Sequence, residues 1–218
     1  MKIFDVNWHA VTAGPSPDKN QRTEIFLLGC EKAMSGNPCK GCFNKATWDA
    51  SLAKYEHAPE DAALNAIKFS PNKYVTIGGG EPTDQIEDLL VFTKILKEHD
   101  YHIMMYTWRS LYDIIEGKYG DIFKSQFIQL IQQIDILVDG EFIPEQKLYI
   151  YDSPDGLFGS VGSGNQIIWD LKNSHQSFEE IIGFKMECLD SIGLSNKDEL
   201  FYVLKQEYKI EKIQLGGK

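Results

Sequence analysis

Short apolar runs alternate along the chain with longer stretches whose apolar residues recur at helical spacing. Residues 24–28 (EIFLL) predict a buried strand ending at Gly29-Cys30. Residues 74–77 (YVTI), running into Gly78-Gly79-Gly80, predict a second, and 102–107 (HIMMYT) a third. Residues 135–138 (DILV), followed by Asp139-Gly140, predict a fourth, and 166–169 a weaker fifth. Between them, 60–69 carry Ala62, Ala63, Ala66 and Ile67 after Pro59. Residues 84–98 place Ile86, Leu89, Leu90, Thr93 and Leu96 on one helical face, with Glu87 and Asp88 early and Lys94 and Lys97 late, as the helix dipole favours. Residues 121–133 place Phe123, Phe127, Leu130 and Ile131 similarly, with Ile134 just beyond.

Strands alternating with helices predict parallel βα units joined by right-handed crossovers. The units are too few for a closed eight-stranded barrel. The expected architecture is α/β: a partial, open β/α barrel of about five or six parallel strands. Functional residues in such sheets gather at the carboxyl ends of the strands. Cys30, the triple glycine, Thr107 and Asp139-Gly140 all stand there. After about residue 172 the pattern changes. Residues 177–192 predict one helix, and Ser195 with Asp198 gives a capping-box-like start for another reaching about Gln206. The expected organisation is a partial-barrel domain over 1–172 and a C-terminal helical extension over 173–218, with no internal repeat.

At 43% hydrophobic and 25% charged, the 218 residues have ordinary globular composition, enough to bury a core. Charge narrows the picture more. Acidic residues outnumber Lys and Arg by 32 to 22, a net charge of -10 that repels phosphate backbones and anionic lipids and argues against nucleic-acid or membrane-surface partners. No apolar run reaches the ~18 residues of a bilayer span. The start MKIFDVNWHA carries Asp5 where a signal peptide would be apolar, so a soluble, cytoplasmic protein is expected.

The cysteines carry the chemistry. Cys30, Cys39 and Cys42 crowd into one loop, GCEKAMSGNPCKGCFNKATW (29–48), while Cys188 stands alone among apolar neighbours and reads as a buried structural thiol. A Cys-x8-Cys-x2-Cys cluster in a cytosolic chain reads as a metal or redox site, not as disulfide staples. A closed structural zinc site needs a fourth ligand, and no fourth Cys or His lies in the loop. Three thiolates suit a [4Fe-4S] cluster with one iron left open. Zinc and redox thiols remain the alternatives.

The run CFNKATW after the last Cys resembles the cluster loop of radical S-adenosylmethionine activating enzymes. GPSPDKNQR before the first strand, IGGGEPTDQ (77–85), DILVDGEF (135–142) and GSGNQ (162–166) extend the resemblance in order over about residues 5–170, and within the superfamily it falls on the activating proteins of anaerobic ribonucleoside-triphosphate reductases. Three departures stand out. The family's usual cysteine spacing is Cys-x3-Cys-x2-Cys, Val161 occupies a position where an Arg usually precedes the GSxNQ element, and Thr107-Trp108 replaces a common Thr-Gly pair.

The resemblance implies an oxygen-sensitive enzyme in which Cys30, Cys39 and Cys42 ligate the cluster and its open iron chelates S-adenosyl-L-methionine. Reductive cleavage would then put a glycyl radical on the large subunit of the anaerobic reductase, with a flavodoxin- or ferredoxin-type protein as electron donor. It also implies cofactor contacts: Gly79, Gly80 and Glu81 to the methionine ammonium group, Asn44 and Phe43 near the bound cofactor, Thr107 to the ribose, and Asp139 on the ligand face. Each has a plainer reading. The glycines and Glu81 make a strand-to-helix turn opened by Pro82, Asn44 is a loop amide, Phe43 is core packing, Thr107 is an ordinary strand residue, and Asp139-Gly140 is turn chemistry. Gly162, Ser163, Asn165 and Gln166 line the cofactor, meet a partner, or form a simple loop. Arg22 and Arg109, the only arginines, are expected on the solvated surface. Two rival functions remain: a small-molecule radical enzyme such as 7-carboxy-7-deazaguanine synthase, and a zinc-stabilised interaction module without activity.

Overall fold

The apolar runs do become strands, in a computed structural model that describes residues 1–11, 14, 16–17, 21–146, 163 and 165–171. In chain order the elements are β1 (Ile3–Ala10), β2 (Arg22–Leu27), α1 (Glu31–Met34), α2 (Pro59–Phe69), β3 (Tyr74–Gly79), α3 (Ile86–Glu98), β4 (His102–Thr107), α4 (Leu111–Ile115), α5 (Asp121–Ile131), β5 (Ile136–Asp139) and β6 (Ile167–Asp170). They form one open six-stranded sheet in the order β1-β2-β3-β4-β5-β6.

The expectation of an all-parallel sheet is corrected at both edges. The strands β2 to β5 are parallel, but β1 pairs antiparallel with β2, and β6 antiparallel with β5. The cause at β1 is the short connection from Ala10 to Arg22, which leaves no room for the helical crossover that a parallel partner needs. The predicted extension over 173–218, and with it Cys188 and the boundary near 172, lies outside the described residues.

Alternation along the parallel strands sorts their side chains between two faces. One face (Ile25, Val75, Ile77, Ile103, Met105, Leu137, Trp169) shares a single core with α2, α3 and α5, where Ala63, Leu89, Phe92, Leu96, Phe127 and Leu130 are fully buried. Each large apolar side chain so buried contributes roughly 1.5–3 kcal/mol. Residues of the other parity, Met104, Ile136, Val138 and Ile168 with Tyr106, form a smaller cluster.

Arg22 is not on the surface. It is fully buried at the start of β2, where Nε donates to Thr76 Oγ1 (2.7 Å) and Nη2 to Val75 O (2.6 Å) and His102 O (3.3 Å). Burial lowers its pKa to about 10. Its fork ties the amino ends of β2, β3 and β4 together, the end of the sheet away from the cysteines.

Candidate functional site

The unusual spacing between Cys30 and Cys39 has a structural cause: the extra residues fold. Cys30 caps α1, one turn of helix over Glu31–Met34. Gly36 (φ 86°) ends it, with Gly36 N donating to Ala33 O (3.1 Å) and Asn37 N to Lys32 O (3.0 Å), the paired bonds of a Schellman motif. The chain then returns to Cys39, and Cys42 N closes onto Cys39 O (3.2 Å). A compact helical turn thus absorbs the insertion.

The loop is fixed at both ends. Gly29 N donates to Thr47 O (2.8 Å) and Cys30 N to Trp48 O (2.9 Å), so the segment leaves and rejoins the sheet at one point. On its far side Gly41 packs on Pro144 and Phe142, and Lys40 pairs with Glu145. Lys32 Nζ, 3.2 Å from Glu141 Oε2 and 4.9 Å from the Trp108 ring centre, links α1 to the ends of β4 and β5.

All three cysteines are free of disulfides; Cys30 is buried, and Cys39 and Cys42 are half-buried. Burial pushes the Cys30 thiol up to about 11 and the Cys39 thiol up to about 12, with Glu81 and Asp84 adding to the first and Glu141 to the second. Each thiol must therefore shed a proton to ligate a metal. The carboxylates near Cys30 and Cys39 oppose that loss, while the Lys32 charge favours it at Cys39. Cys42 lies close enough to both of the others to raise their thiols further. The indole Nε1 of Trp48 donates to Cys42 Sγ (3.4 Å), and the backbones of Ala33 and Phe142 temper the upward shifts of the Cys30 and Cys39 thiols. Among the described residues no three His, Cys, Asp or Glu side chains converge tightly enough to hold a single metal ion. A four-iron cluster is wider than one ion, and three disulfide-free thiols in one loop are a donor set that fits it.

Beside the loop, β3 ends in the glycines. The resemblance implies ligand contacts for them and their plainer reading is a turn; the structure packs them on the chain's own backbone. A Cβ at Gly80 would lie 2.1 Å from Gly29 O and 2.9 Å from Thr47 O, and one at Gly79 (φ 109°) would lie 2.4 Å from Leu27 N. The amides are also taken, Gly80 N by Leu27 O (2.9 Å) and Glu81 N by Gly29 O (2.7 Å). The glycines let the end of β3 close against Gly29-Cys30.

Glu81, which follows them, is 1% exposed. Its Oε1 accepts from Thr83 N (3.0 Å), Thr83 Oγ1 (2.6 Å) and Thr107 Oγ1 (2.8 Å), and its Oε2 from Trp108 N (3.0 Å). Burial raises its pKa, against the pull of Arg109, whose Nη1 stands 3.5 Å from Oε1. A carboxylate can accept about four hydrogen bonds. The crowded Oε1 is committed to the protein, and the spare capacity is on Oε2.

Arg109 is likewise buried (5% exposed), contrary to the expected surface role. Nη1 donates to Thr83 Oγ1 (2.7 Å) and Nη2 to Asp84 Oδ1 (2.8 Å), while Asp84 Oδ2 accepts from Glu31 N (2.6 Å). Trp108, Tyr119 and Phe123 surround its guanidinium at 4.7–5.2 Å. Although burial penalises the charge, Glu81 and Asp84 hold its pKa above the ordinary value. Removing one partner of such a buried pair costs about 3–5 kcal/mol. One network thus joins the residue after Cys30, the turn after β3 and the end of β4.

The other predicted residues separate. Thr107 and Asp139 are register partners on β4 and β5; both are buried, and Asp139 Oδ2 accepts from Leu111 N (2.6 Å). Asn44 is half-buried, and its carbonyl accepts from Thr47 N (3.0 Å) and Thr47 Oγ1 (2.7 Å). Phe43 is 69% exposed against Phe142, at 4.7 Å between ring centres, so it is not core. Ser163, Asn165 and Gln166 clasp the 140–143 segment: Ile143 N donates to Ser163 Oγ (3.1 Å), Asn165 Nδ2 to Glu141 O, and Gln166 Nε2 to Gly140 O (3.0 Å). That segment in turn supplies Phe142 to Cys39. Gly162 lies outside the described residues. A cavity of about 630 Å³ opens beside Cys30, lined by Glu31, Trp48, Asp49, Asp84 and Asp88 among others, but Glu81, Cys39 and Cys42 do not reach it.

Sequence reasoning missed Lys32, Trp48, Thr83, Asp84 and Arg109. Thr83, Asp84 and Trp48 lie inside stretches that carried the resemblance, which was the available signal.

Three disulfide-free thiols, one buried and two half-buried, in the loop that follows the carboxyl end of β2 are the donor set of an iron–sulfur protein. The chain matches the family described as 4Fe-4S single cluster domain over residues 19–178. It is 30% identical over 158 residues to the anaerobic ribonucleoside-triphosphate reductase-activating protein of Haemophilus influenzae, covering 69% of this chain and 88% of that one. Over 154 residues it is 29% identical to the protein of the same name from Vibrio cholerae (67% and 86% covered), and over 156 residues 24% identical to that of Escherichia coli K12 (69% and 89%). The chain belongs to the 4Fe-4S single cluster domain family and, within it, to the family of these reductase-activating proteins. Among the described residues no helix is long and apolar enough to cross a membrane.

Proposed function

We propose that this protein is a cytoplasmic radical S-adenosylmethionine enzyme that installs a glycyl radical on an anaerobic ribonucleoside-triphosphate reductase. The observation that carries this is the set of three disulfide-free thiols in one loop beside the buried Glu81 network, in a chain of this family. Cys30, Cys39 and Cys42 hold the cluster and leave one iron without a protein ligand. When bound there, the cluster would supply one-electron chemistry, fed by a flavodoxin- or ferredoxin-type donor, for the reductive cleavage of S-adenosylmethionine that a glycyl radical on the reductase requires.

The remaining residues bind, orient and exclude water. Glu81 offers Oε2 to the methionine ammonium group, and Thr107, fixed by Oε1, faces the ribose. Gly79 and Gly80 act by holding Glu81 against Gly29-Cys30. Asp139, Asn44 and the exposed Phe43 border the cofactor on the side where the partner's loop enters. The open sheet serves as a partial barrel whose mouth admits that loop.

The test is anaerobic reconstitution with iron and sulfide, followed by a strong reductant and S-adenosylmethionine. The expected products are equal amounts of methionine and 5′-deoxyadenosine. Protein with a full iron complement that yields neither overturns the reading. In Glu81→Gln, which keeps an acceptor for Thr83 and Thr107 but loses the charge, affinity for S-adenosylmethionine should fall by about tenfold or more at unchanged iron content.

A further inference from the structure

Among the described residues, one side chain donates a hydrogen bond to the sulfur of a loop cysteine. The side chain is Trp48, whose Nε1 lies 3.4 Å from Cys42 Sγ. Indole can only donate, so the N–H dipole points at the sulfur. The same residue holds the other end of the loop, because its carbonyl accepts from Cys30 N at 2.9 Å. Trp48 thereby fixes Cys42 relative to Cys30, the two sulfurs with no covalent connection shorter than the loop itself. Hydrogen bonds to the sulfurs are among the features that set the reduction potential of an iron–sulfur cluster. Reduction adds negative charge to the cluster and its thiolates, so a donor aimed at one sulfur stabilises the reduced form more than the oxidised one.

We infer that Trp48 is a positioning residue that sets the cluster's reduction potential, its indole N–H orienting the Cys42 sulfur and making the cluster easier to reduce. The inference rests on the reading of Cys30, Cys39 and Cys42 as the cluster ligands. Packing alone predicts something different: an aromatic replacement would then leave the potential where it was. The carbonyl bond to Cys30 N survives any side-chain change at this position, so the indole can be removed without releasing that end of the loop.

The experiment compares reconstituted wild type with Trp48→Phe by iron analysis and by redox titration followed by electron paramagnetic resonance. The expected result is an unchanged iron content and a midpoint shifted to more negative potential in Trp48→Phe. The reduced cluster of the variant should also lack one exchangeable proton coupling that the wild type shows between light and heavy water. An unchanged midpoint with both proton spectra alike overturns the inference and leaves the cluster reading intact. Wild type that takes up no iron, or takes it up equally when all three cysteines are replaced, overturns the cluster reading itself. If Trp48→Phe takes up no cluster, the comparison passes to Trp48→His, which returns an N–H. A cluster there with a near wild-type midpoint supports the inference, and its loss there too assigns Trp48 to packing and overturns it.

Discussion

Cys39→Ala is expected to give a folded protein that holds no stable iron–sulfur cluster and cleaves no S-adenosylmethionine. Cys39 is half-buried in a turn closed by a backbone hydrogen bond, Cys42 N to Cys39 O, which does not involve the thiol. Removing the thiol should leave the loop's path intact, so the thermal transition of the metal-free protein should move little. The loss falls on ligation. Two thiolates cannot replace three, and no fourth Cys or His lies in the loop. Iron and sulfide analysis with visible absorbance after reconstitution reads the outcome. Full iron in Cys39→Ala would show that the helical insertion had moved the true ligand elsewhere.

The largest effect on the fold is expected from Gly80→Ala. The new Cβ would meet Gly29 O at 2.1 Å, Gly29 C at 2.7 Å and Thr47 O at 2.9 Å, all backbone atoms that cannot rotate away. Either β3 separates from β2, breaking the bonds from Gly80 N to Leu27 O and from Glu81 N to Gly29 O, or the cysteine loop shifts. The cost should be at least about 3 kcal/mol, a fall in Tm of roughly 6–12 °C for a chain of this size. Iron uptake should fall as well, because the displaced atoms adjoin Cys30. Gly78→Ala is the control: its Cβ would meet only Tyr106 Cδ2, at an ordinary 3.8 Å. Equal melting temperatures for the two variants would contradict the seam described for Gly80.

What could be read from the sequence follows from how local each cause was. The strands β2 to β5 are continuous apolar runs, and α2, α3 and α5 show their helical spacing directly. By contrast β1 was not predicted, because register shifts between Ile3 and Asp5 and between Asn7 and Ala10 break the alternation that marks a strand. Strand direction at the edges depends on connections, not on strand composition. The cysteines announced themselves by spacing, although the helical turn between Cys30 and Cys39 was not foreseen. The arginines were misplaced for a different reason. The acceptors that bury Arg22 and Arg109 stand 25 to 80 residues away, on other strand ends, so nothing beside either residue reveals them. The closing of the glycines onto Gly29-Cys30 was hidden likewise: an open turn and a closed seam have the same sequence, and only the neighbouring backbone tells them apart.

The central claim is that this protein makes a radical on another one. The direct measurement is electron paramagnetic resonance of the cognate anaerobic reductase, mixed without oxygen with the reconstituted, reduced protein and S-adenosylmethionine. The account predicts a glycyl doublet on the reductase that is absent when Cys39→Ala replaces the wild type. Production of 5′-deoxyadenosine with no doublet on the reductase would contradict it.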